Sequence, residues 1–245
     1  MGNLLKMERY QLLHNYFYWC GIIGIFLLGF LTADTYVPEV MGPAGGAAAS
    51  LSDIFNGMVY DSTFLLIIIS GILSLIFGQE FSHRTIGLEV SAGHSRKAIF
   101  LSKVIAYLAA FHVMALIYPL AGCIREFSRF GMEDAGIVFY NVFKAVVYSC
   151  LLNSATFLMA ILICCYLRSS VKAVAVTVIV TFVLSLYLGY GMMLKLPVDF
   201  LPIYQIRTAV STGKLFQLTA ILIAGIWASI LIFLAWTKFR KCDLT

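Results

Sequence analysis

The segment Gln79–Lys97 holds the densest group of ionisable side chains in a chain that is otherwise strongly apolar. These side chains belong to Glu80, His83, Arg84, Glu89, His94, Arg96 and Lys97. Ser95 is placed to cap a following helix, so that Arg96 and Lys97 fall in its first turn, where the helix dipole opposes positive charge. We therefore expect a negative partner, either anionic lipid or an acidic groove on a docked protein. The simpler alternative is a solvated face that only enforces membrane topology.

The sequence contains no motif for nucleotide hydrolysis or intramembrane catalysis. The one Gly-Lys pair, Gly213-Lys214, is followed by leucine and lacks the spacing of a phosphate-binding loop. Neither His-Glu-x-x-His nor Gly-x-Ser-x-Gly occurs, and the six cysteines show no metal-ligand spacing. An intramembrane enzyme would have to use His112 with the polar residues Asn153, Ser154 and Thr156. A neutral histidine bonded to a neighbouring helix is the alternative.

The elements that position these residues are apolar stretches long enough to cross a bilayer. A spanning helix needs roughly 20 mostly apolar residues. Of this chain 61% is hydrophobic and 12% is charged, a balance that excludes a soluble domain. We predict an all-α integral membrane protein with a single transmembrane domain over residues 1–245. Its six predicted spans are Phe17–Val37, Asp61–Gly78, Ala98–Ala121, Ala145–Leu167, Ala173–Leu194 and Leu215–Trp236.

Lysine and arginine determine the predicted orientation. With the N-terminus inside, eleven of the 17 basic residues fall on the cytoplasmic side. The first outer loop has no basic residue and carries Asp34, Glu39, Asp53 and Asp61. The chain is therefore predicted to be a multi-pass protein of the cell membrane with both termini in the cytoplasm, and the excess positive charge points to anionic lipid rather than nucleic acid.

Three segments outside the spans have patterns of their own. Asn3–Tyr16 is predicted to be an interfacial helix with Glu8, Gln11 and Asn15 on one polar face and with Leu5, Leu12 and Tyr16 opposite. A cytoplasmic extension of the first span is the alternative. Pro38–Ser50 is predicted to be a flexible outer loop, and Lys195–Lys214 to contain short re-entrant helices in the outer leaflet. Pro119 is predicted to kink the third span.

A stripe of small residues follows one face of the fifth span. Its members recur every four residues, and they are Ala173, Thr177, Thr181, Ser185 and Gly189. Small residues at this spacing let helices approach closely, and Ser and Thr can hydrogen-bond across the contact. The stripe is predicted to be either a seam between two copies of the protein or a packing face within one bundle.

The ionisable segment also resembles a known family. An acidic residue, Glu80, ends the second span, and it is followed by Thr85, Gly93, Ser95-Arg96 and then Lys103. This order resembles the small permease subunits of ABC-2 type transporters, as does the layout of an N-terminal interfacial helix and six spans. The chain departs from the family where it has Arg84-Thr85 instead of Gly-Thr, and His94 instead of proline before Ser-Arg.

The resemblance implies a bacterial ABC exporter in which two permease copies, identical or different, surround a pathway. A separate ATP-binding subunit would dock beneath each copy and would bind ATP and Mg, so that this chain is not itself an enzyme. The segment Gln79–Ala92 would be the cytoplasmic coupling helix. The residues expected to couple it to the ATPase are Glu80, Arg84, Thr85, Glu89, Ser95 and Arg96.

Short members of the family resemble bacteriocin-immunity and phenol-soluble-modulin exporters, which implies an amphipathic or antimicrobial peptide cargo. Asp34 and Asp61, near the outer mouth, could attract a cationic peptide or could be ordinary helix-end residues. A membrane sensor or scaffold without an ATPase partner is the remaining alternative to a transporter.

Overall fold

The computed structural model describes residues 2–38, 47–131, 135–211 and 216–241. Within these ranges the protein is all-helical, with ten α-helices and a 3₁₀ turn at Ala33–Tyr36. The helices are α1 (Gly2–Leu13), α2 (Tyr16–Thr32), α3 (Leu51–Tyr60), α4 (Thr63–Ser82), α5 (Thr85–Ser91), α6 (Arg96–Phe130), α7 (Ala135–Leu167), α8 (Ser170–Met193), α9 (Pro202–Ser211) and α10 (Leu218–Arg240). The outer-loop residues 39–46, together with Lys214 and Cys242, lie outside the described ranges.

Six helices in the described residues are long and apolar enough to cross a membrane, which confirms the predicted all-helical, six-span class. They are α2 with its 3₁₀ turn, α4, α6, α7, α8 and α10. Two of them extend well beyond their predicted spans, because backbone hydrogen bonding continues past the apolar stretch. The third span, α6, passes through Pro119 and ends at Phe130. The proline therefore removes one N–H donor without ending the helix.

Side-chain caps define where several helices begin. Asn15 accepts a hydrogen bond from the Phe17 N–H (2.9 Å) at the start of α2. Ser50 accepts one from the Asp53 N–H (3.2 Å) at the start of α3. Ser95 caps α6, as predicted, by accepting a hydrogen bond from the Ala98 N–H (3.3 Å). Each cap satisfies an N–H that the first turn of a helix leaves without an acceptor.

The bundle has a central layer and a more exposed periphery. Helices α4, α6 and α7 are the most buried spans, whereas α2, α8 and α10 leave most of their surface uncovered. In the centre, the Phe111 ring of α6 stacks on Phe157 of α7 with 4.6 Å between ring centroids. The segments that connect the spans at one end of this core form the candidate site.

The small-residue stripe of α8 packs mainly against α4 of the same chain. Ala173, Thr177 and Thr181 are buried, and the Ser74 hydroxyl of α4 donates to Thr177 Oγ1 (3.1 Å). Where α4 ends, a β-carbon at Gly78 would lie 2.6 Å from the Ser170 Cα. These contacts correspond to packing within one bundle. Ser185 is half-buried and bonds to its own helix, while Gly189 is exposed, so a seam between copies stays a prediction for the outer end of the stripe.

Part of the polar face predicted for the N-terminal helix is turned into the protein instead of towards water. In α1 the buried stripe is Leu4, Glu8 and Leu12, at i, i+4 and i+8, and Glu8 is fully buried. Tyr16, predicted to lie on the apolar face, is exposed and begins α2. A buried carboxylate such as that of Glu8 is stable when a counter-charge meets it.

Gly29→Ala is expected to lower the thermal stability of the purified protein. A β-carbon at Gly29 in α2 would collide with the backbone carbonyl of Tyr118 in α6, which cannot move aside as a side chain can. Overpacking of this kind costs ~1–3 kcal/mol. Gly24→Ala is the matched control in the same helix, because no heavy atom lies within 4 Å of its added β-carbon. Equal melting temperatures for the two variants in detergent would contradict the close packing of α2 on α6.

Candidate functional site

One lysine ties four helices together at the end of the bundle that carries α1. The Lys103 Nζ of α6 donates to Glu8 Oε1 of α1 (2.7 Å), to Glu89 Oε1 of α5 (2.9 Å) and to the Glu80 carboxylate of α4. The side chains of Lys103 and Glu8 are each only 1% exposed. The ammonium thus lies at the centre of a cluster of charges from separate elements, which we call the Lys103 clamp (Glu8, Glu80, Glu89 and Lys103).

Short connections bring these residues together. Helix α4 turns into α5 through Arg84, which adopts a left-handed conformation with φ of 56°, and the Thr85 hydroxyl donates to the Glu80 carbonyl across that turn (3.1 Å). Helix α5 turns into α6 through Gly93, with φ of 88°. Left-handed backbone is costly for most residues and easy for glycine. The Gly-Thr of the resembled family, where this chain has Arg84-Thr85, fits the same conformation.

The clamp contains more negative than positive charge. Three carboxylates share one ammonium, and Tyr107 supplies one further donor through its hydroxyl to Glu80 Oε1 (2.5 Å). Glu8 Oε2 and Glu89 Oε2 are buried and have no hydrogen-bond partner among the described residues. Burial, reinforced by repulsion from Glu80, raises the pKa of Glu8 to about 7 even though Lys103 opposes the shift. Burial likewise raises the pKa of Glu89, again against Lys103.

The three carboxylates have the composition of a metal site, because their oxygen atoms lie within 4.8 Å of one another. The Lys103 ammonium, however, takes the position where a cation would sit. The arrangement is therefore that of an internal ion cluster. Such a cluster positions the elements that it joins, because removal of one partner leaves uncompensated buried charge.

A polar cavity of about 170 Å³ opens beside the clamp. It lies between α1 and the inner end of α4, and Glu80 and Tyr107 form part of its wall together with Gln11, Asn15 and His83. Polar lining of this kind admits water. The cavity gives Glu80 a route to solvent, while Glu8 and Glu89 remain enclosed.

The six predicted coupling residues do not share one surface. Glu80 and Glu89 point inward to Lys103, and Thr85 and Ser95 bond to the backbone of the loop itself. The Arg96 guanidinium donates to the backbone carbonyl of Arg240 at the end of α10 (2.6 Å). Of the six, Arg84 and Ser95 are exposed. The bond from Arg96 also places the C-terminal end of α10 at the same end of the bundle as α1.

The outward surface of the loop contains an apolar residue that the sequence analysis did not single out. Leu88 of α5 is 70% exposed, and it lies between the exposed Arg84 and the exposed Ser91. Burial of an exposed leucine on a charged loop against a partner protein would lower the free energy of the complex. The signal in the sequence was one apolar residue at i+4 from Arg84 and i−3 from Ser91, both polar.

One clamp member and one neighbouring donor were also missed. Glu8 was assigned to the polar face of an interfacial helix, and Tyr107 was not considered. The available signal was Lys103 itself, since a lysine one to two turns inside an apolar helix requires acidic partners. The i, i+4, i+8 spacing of Leu4, Glu8 and Leu12 then identifies Glu8 as one of them.

At the opposite end, both predicted outer-mouth acids are paired with arginines. Asp34 accepts from Arg125 of α6, and Asp61 accepts from Arg207 of α9 (3.3 Å). Arg207 also donates to Thr63 Oγ1 (3.1 Å), so it fixes α9 to the start of α4. Burial raises the pKa of Asp61, and Arg207 opposes this shift. These pairs reduce the negative charge that either acid can offer to a cationic peptide.

His112 is engaged within the bundle. Its Nε2 lies 2.7 Å from the Ser154 hydroxyl of α7, and the Ser154 hydroxyl donates in turn to the Cys150 carbonyl (2.5 Å). This hydrogen bond to a neighbouring helix is the predicted alternative to a role in an intramembrane enzyme.

Comparison with known proteins adds one finding. A family model described as ABC-2 family transporter protein matches residues 4–185, a range that includes most of α1, the whole loop Gln79–Lys97 and all four clamp residues. No curated protein matches the chain.

Lys103→Met is expected to destabilise the protein by ~3–5 kcal/mol, because the enclosed carboxylates of Glu8 and Glu89 would lose their counter-charge. Thermal unfolding in detergent measures the loss, and Glu8→Gln combined with Lys103→Met should restore part of it by removing one of those charges. Lys97→Met is the matched control, an exposed lysine in the first turn of the same helix. A Lys103→Met protein as stable as the control would refute the clamp.

The stability that Glu8 contributes should decrease as the pH rises. Its pKa of about 7 lies above the ordinary value of 4.5, so the folded protein holds this proton more tightly than the unfolded chain does. Glu8 therefore makes its full contribution to stability below about pH 4.5, and this contribution is lost as the pH rises through about 7. The melting temperature of the wild type minus that of Glu8→Gln, which cannot titrate, should fall across this window. A difference that rises with pH would contradict the shift.

Proposed function

The chain belongs to the ABC-2 family of transporter proteins, and from this premise we propose that it is the permease subunit of an ATP-driven exporter. Its six spans and family membership make it a multi-pass membrane transport permease. In the proposed complex, the loop Gln79–Lys97 is the contact for a separate ATP-binding subunit. The observation that carries the proposal is that this loop is clamped rigidly to the spans from within while it presents Leu88 outward.

The clamp makes the loop suitable for transmitting force. The seven-residue helix α5 is too short to be stable alone, and in the structure it is held by the buried side chains of Ile86 and Glu89. Through Lys103, Glu89 is joined to α6, to Glu80 in α4 and to α1. A push on Leu88 would therefore move the inner ends of two spans and the interfacial helix together, as a rigid-body transition requires.

The division of the loop into an inner and an outer face assigns different roles to the predicted coupling residues. Glu80 and Glu89 would couple by holding the loop to the spans. Arg84 and Leu88 would couple by contact with the ATPase, with Leu88 in an apolar depression and Arg84 near acidic side chains. Ser95 and Arg96 would support the start of α6, since Ser95 caps it and Arg96 bonds to the end of α10.

The ATPase partner would supply nucleotide chemistry. This chain has no phosphate-binding loop, so ATP and Mg would be bound and ATP hydrolysed in the partner. The loop, α1 and the C-terminal end of α10 lie at one end of the bundle, which agrees with both termini in the cytoplasm beside that partner.

A second permease copy would complete the pathway. The faces of α2 and α8 that flank α4 are uncovered, and they are aromatic and aliphatic, with Phe26, Phe182 and Tyr190 exposed. Such surfaces suit an amphipathic peptide cargo better than an ion. Because Asp34 and Asp61 are paired with arginines, the proposed selectivity for peptide rests on these aromatic surfaces rather than on outer acidic charge.

The first test is a detergent pull-down of the tagged chain from its native membranes. The expected result is a co-purifying ATP-binding protein with ATPase activity. Leu88→Asp should weaken this association at least about fivefold, since truncation of an interface anchor costs more than ~1 kcal/mol. Val171→Asp is the control, another exposed apolar residue at the same end of the bundle. A chain that purifies without any ATP-binding protein would favour the sensor or scaffold alternative.

Arg84 allows a sharper comparison. Arg84→Ala removes the guanidinium and keeps the left-handed strain, whereas Arg84→Gly removes the guanidinium and relieves strain of ~1–2 kcal/mol. Both should lose co-purified ATPase if the guanidinium contacts the partner, and Lys172→Ala, an exposed lysine outside the loop, should not. Normal association of both Arg84 variants would exclude the guanidinium from the contact.

A further inference from the structure

Helix α1 borders a second groove, on the side away from the polar cavity. This groove has a volume of about 340 Å³ and lies between α1, α2 and α6. Its walls are apolar except for one charged residue, and they are formed by Leu5, Arg9, Leu12, Leu13, Tyr18, Ile105, Ala106, Ala109, Ala110 and Val113.

The groove has the length of an acyl chain in one leaflet. Along α6 it extends from Ile105 to Val113, which at 1.5 Å per residue is about 12 Å. One leaflet of hydrocarbon is about 15 Å thick, half of the bilayer core. Ile105 and Val113 are 46% and 47% exposed, so the groove opens sideways onto the surface that faces lipid.

A cation stands at the end of the groove near the membrane surface. Arg9 is exposed and makes no ion pair with any acidic side chain in the part of the chain that the structure describes. Its neighbour Glu8 is turned to the other side of α1, where Lys103 holds it. Because Lys103 is two residues before Ile105 in α6, Arg9 lies at the level where the apolar stretch of the groove begins.

We propose that this groove is a binding site for an anionic glycerophospholipid of the leaflet in which α1 lies. One acyl chain occupies the space between α1, α2 and α6, and the phosphate meets the Arg9 guanidinium. Guanidinium binds phosphate through paired N–H donors, which gives both charge complementarity and a fixed geometry. The small side chains of Ala106, Ala109 and Ala110 leave the room that the chain requires.

The apolar walls of the groove favour a lipid over other occupants. A peptide segment would need partners for its backbone N–H and C=O groups, and the walls consist almost entirely of apolar side chains. An acyl chain has no such requirement. The site also differs from general attraction of basic residues to the membrane, because it predicts that Arg9 matters and that Lys6, one turn away on the same helix, does not.

Native mass spectrometry of the full chain, titrated with phosphatidylglycerol or phosphatidylcholine, tests the site. The wild type is expected to prefer phosphatidylglycerol, and Arg9→Gln should reduce that preference about fivefold, the factor for ~1 kcal/mol per basic residue at an anionic surface. Ala109→Phe should weaken binding of both lipids, because Ala109 is exposed in the groove and a ring there fills it.

Lys6→Gln is the matched control, since it removes the same charge from an exposed position of α1 outside the groove. It should retain the preference of the wild type. If Lys6→Gln and Arg9→Gln lose equal amounts of phosphatidylglycerol preference, attraction is a property of the whole surface and the site is refuted. Unchanged binding of both lipids to Ala109→Phe would refute the acyl-chain position. Melting temperatures in phosphatidylcholine confirm that each variant is folded.

Discussion

The Lys103 ammonium is the interaction on which one end of this protein depends. It joins α1, α4, α5 and α6, and the short helix α5 fully buries only one apolar side chain of its own, that of Ile86. An apolar core would hold these elements with less positional precision, because hydrophobic contact is not directional. Three carboxylates around one ammonium specify both the distance and the orientation of each helix. This end of the bundle is in this sense organised electrostatically, although the bundle as a whole is organised by apolar packing.

The excess of acid in the clamp has a physical consequence. Replacement of a buried ion cluster by apolar residues is often neutral or stabilising, so stability alone does not explain why such a cluster is present. Two carboxylate oxygens of the cluster are buried without a hydrogen-bond partner among the described residues, so its charges are incompletely compensated. The cluster still fixes the relative positions of the elements that it joins, because loss of one partner would leave uncompensated buried charge. This role agrees with a clamp located between the proposed ATPase contact and the spans.

The sequence was sufficient for features that depend on local composition. Six apolar stretches predicted six spans, and Ser95 predicted a cap, because hydropathy and capping involve residues close in sequence. Features that depend on tertiary contact were not predictable in the same way. Glu8 was placed on a polar face because nothing within α1 indicates that Lys103, 95 positions later, would meet it. Asp34 and Asp61 looked free for the same reason, since Arg125 and Arg207 reach them from distant helices. The stripe of α8 was recognised correctly as a packing face, but its pattern could not distinguish α4 from a second copy.

Helix α1 lies between two environments, and its position links them. Its Glu8 side joins the polar clamp, and its Arg9 side borders the apolar groove. Any shift of α1 that widens the groove must also alter the distance between Glu8 and Lys103, because adjacent residues of one helix move together. If a lipid in the groove and an ATPase at Leu88 favour different positions of α1 and α5, each must change the affinity of the other by the same factor.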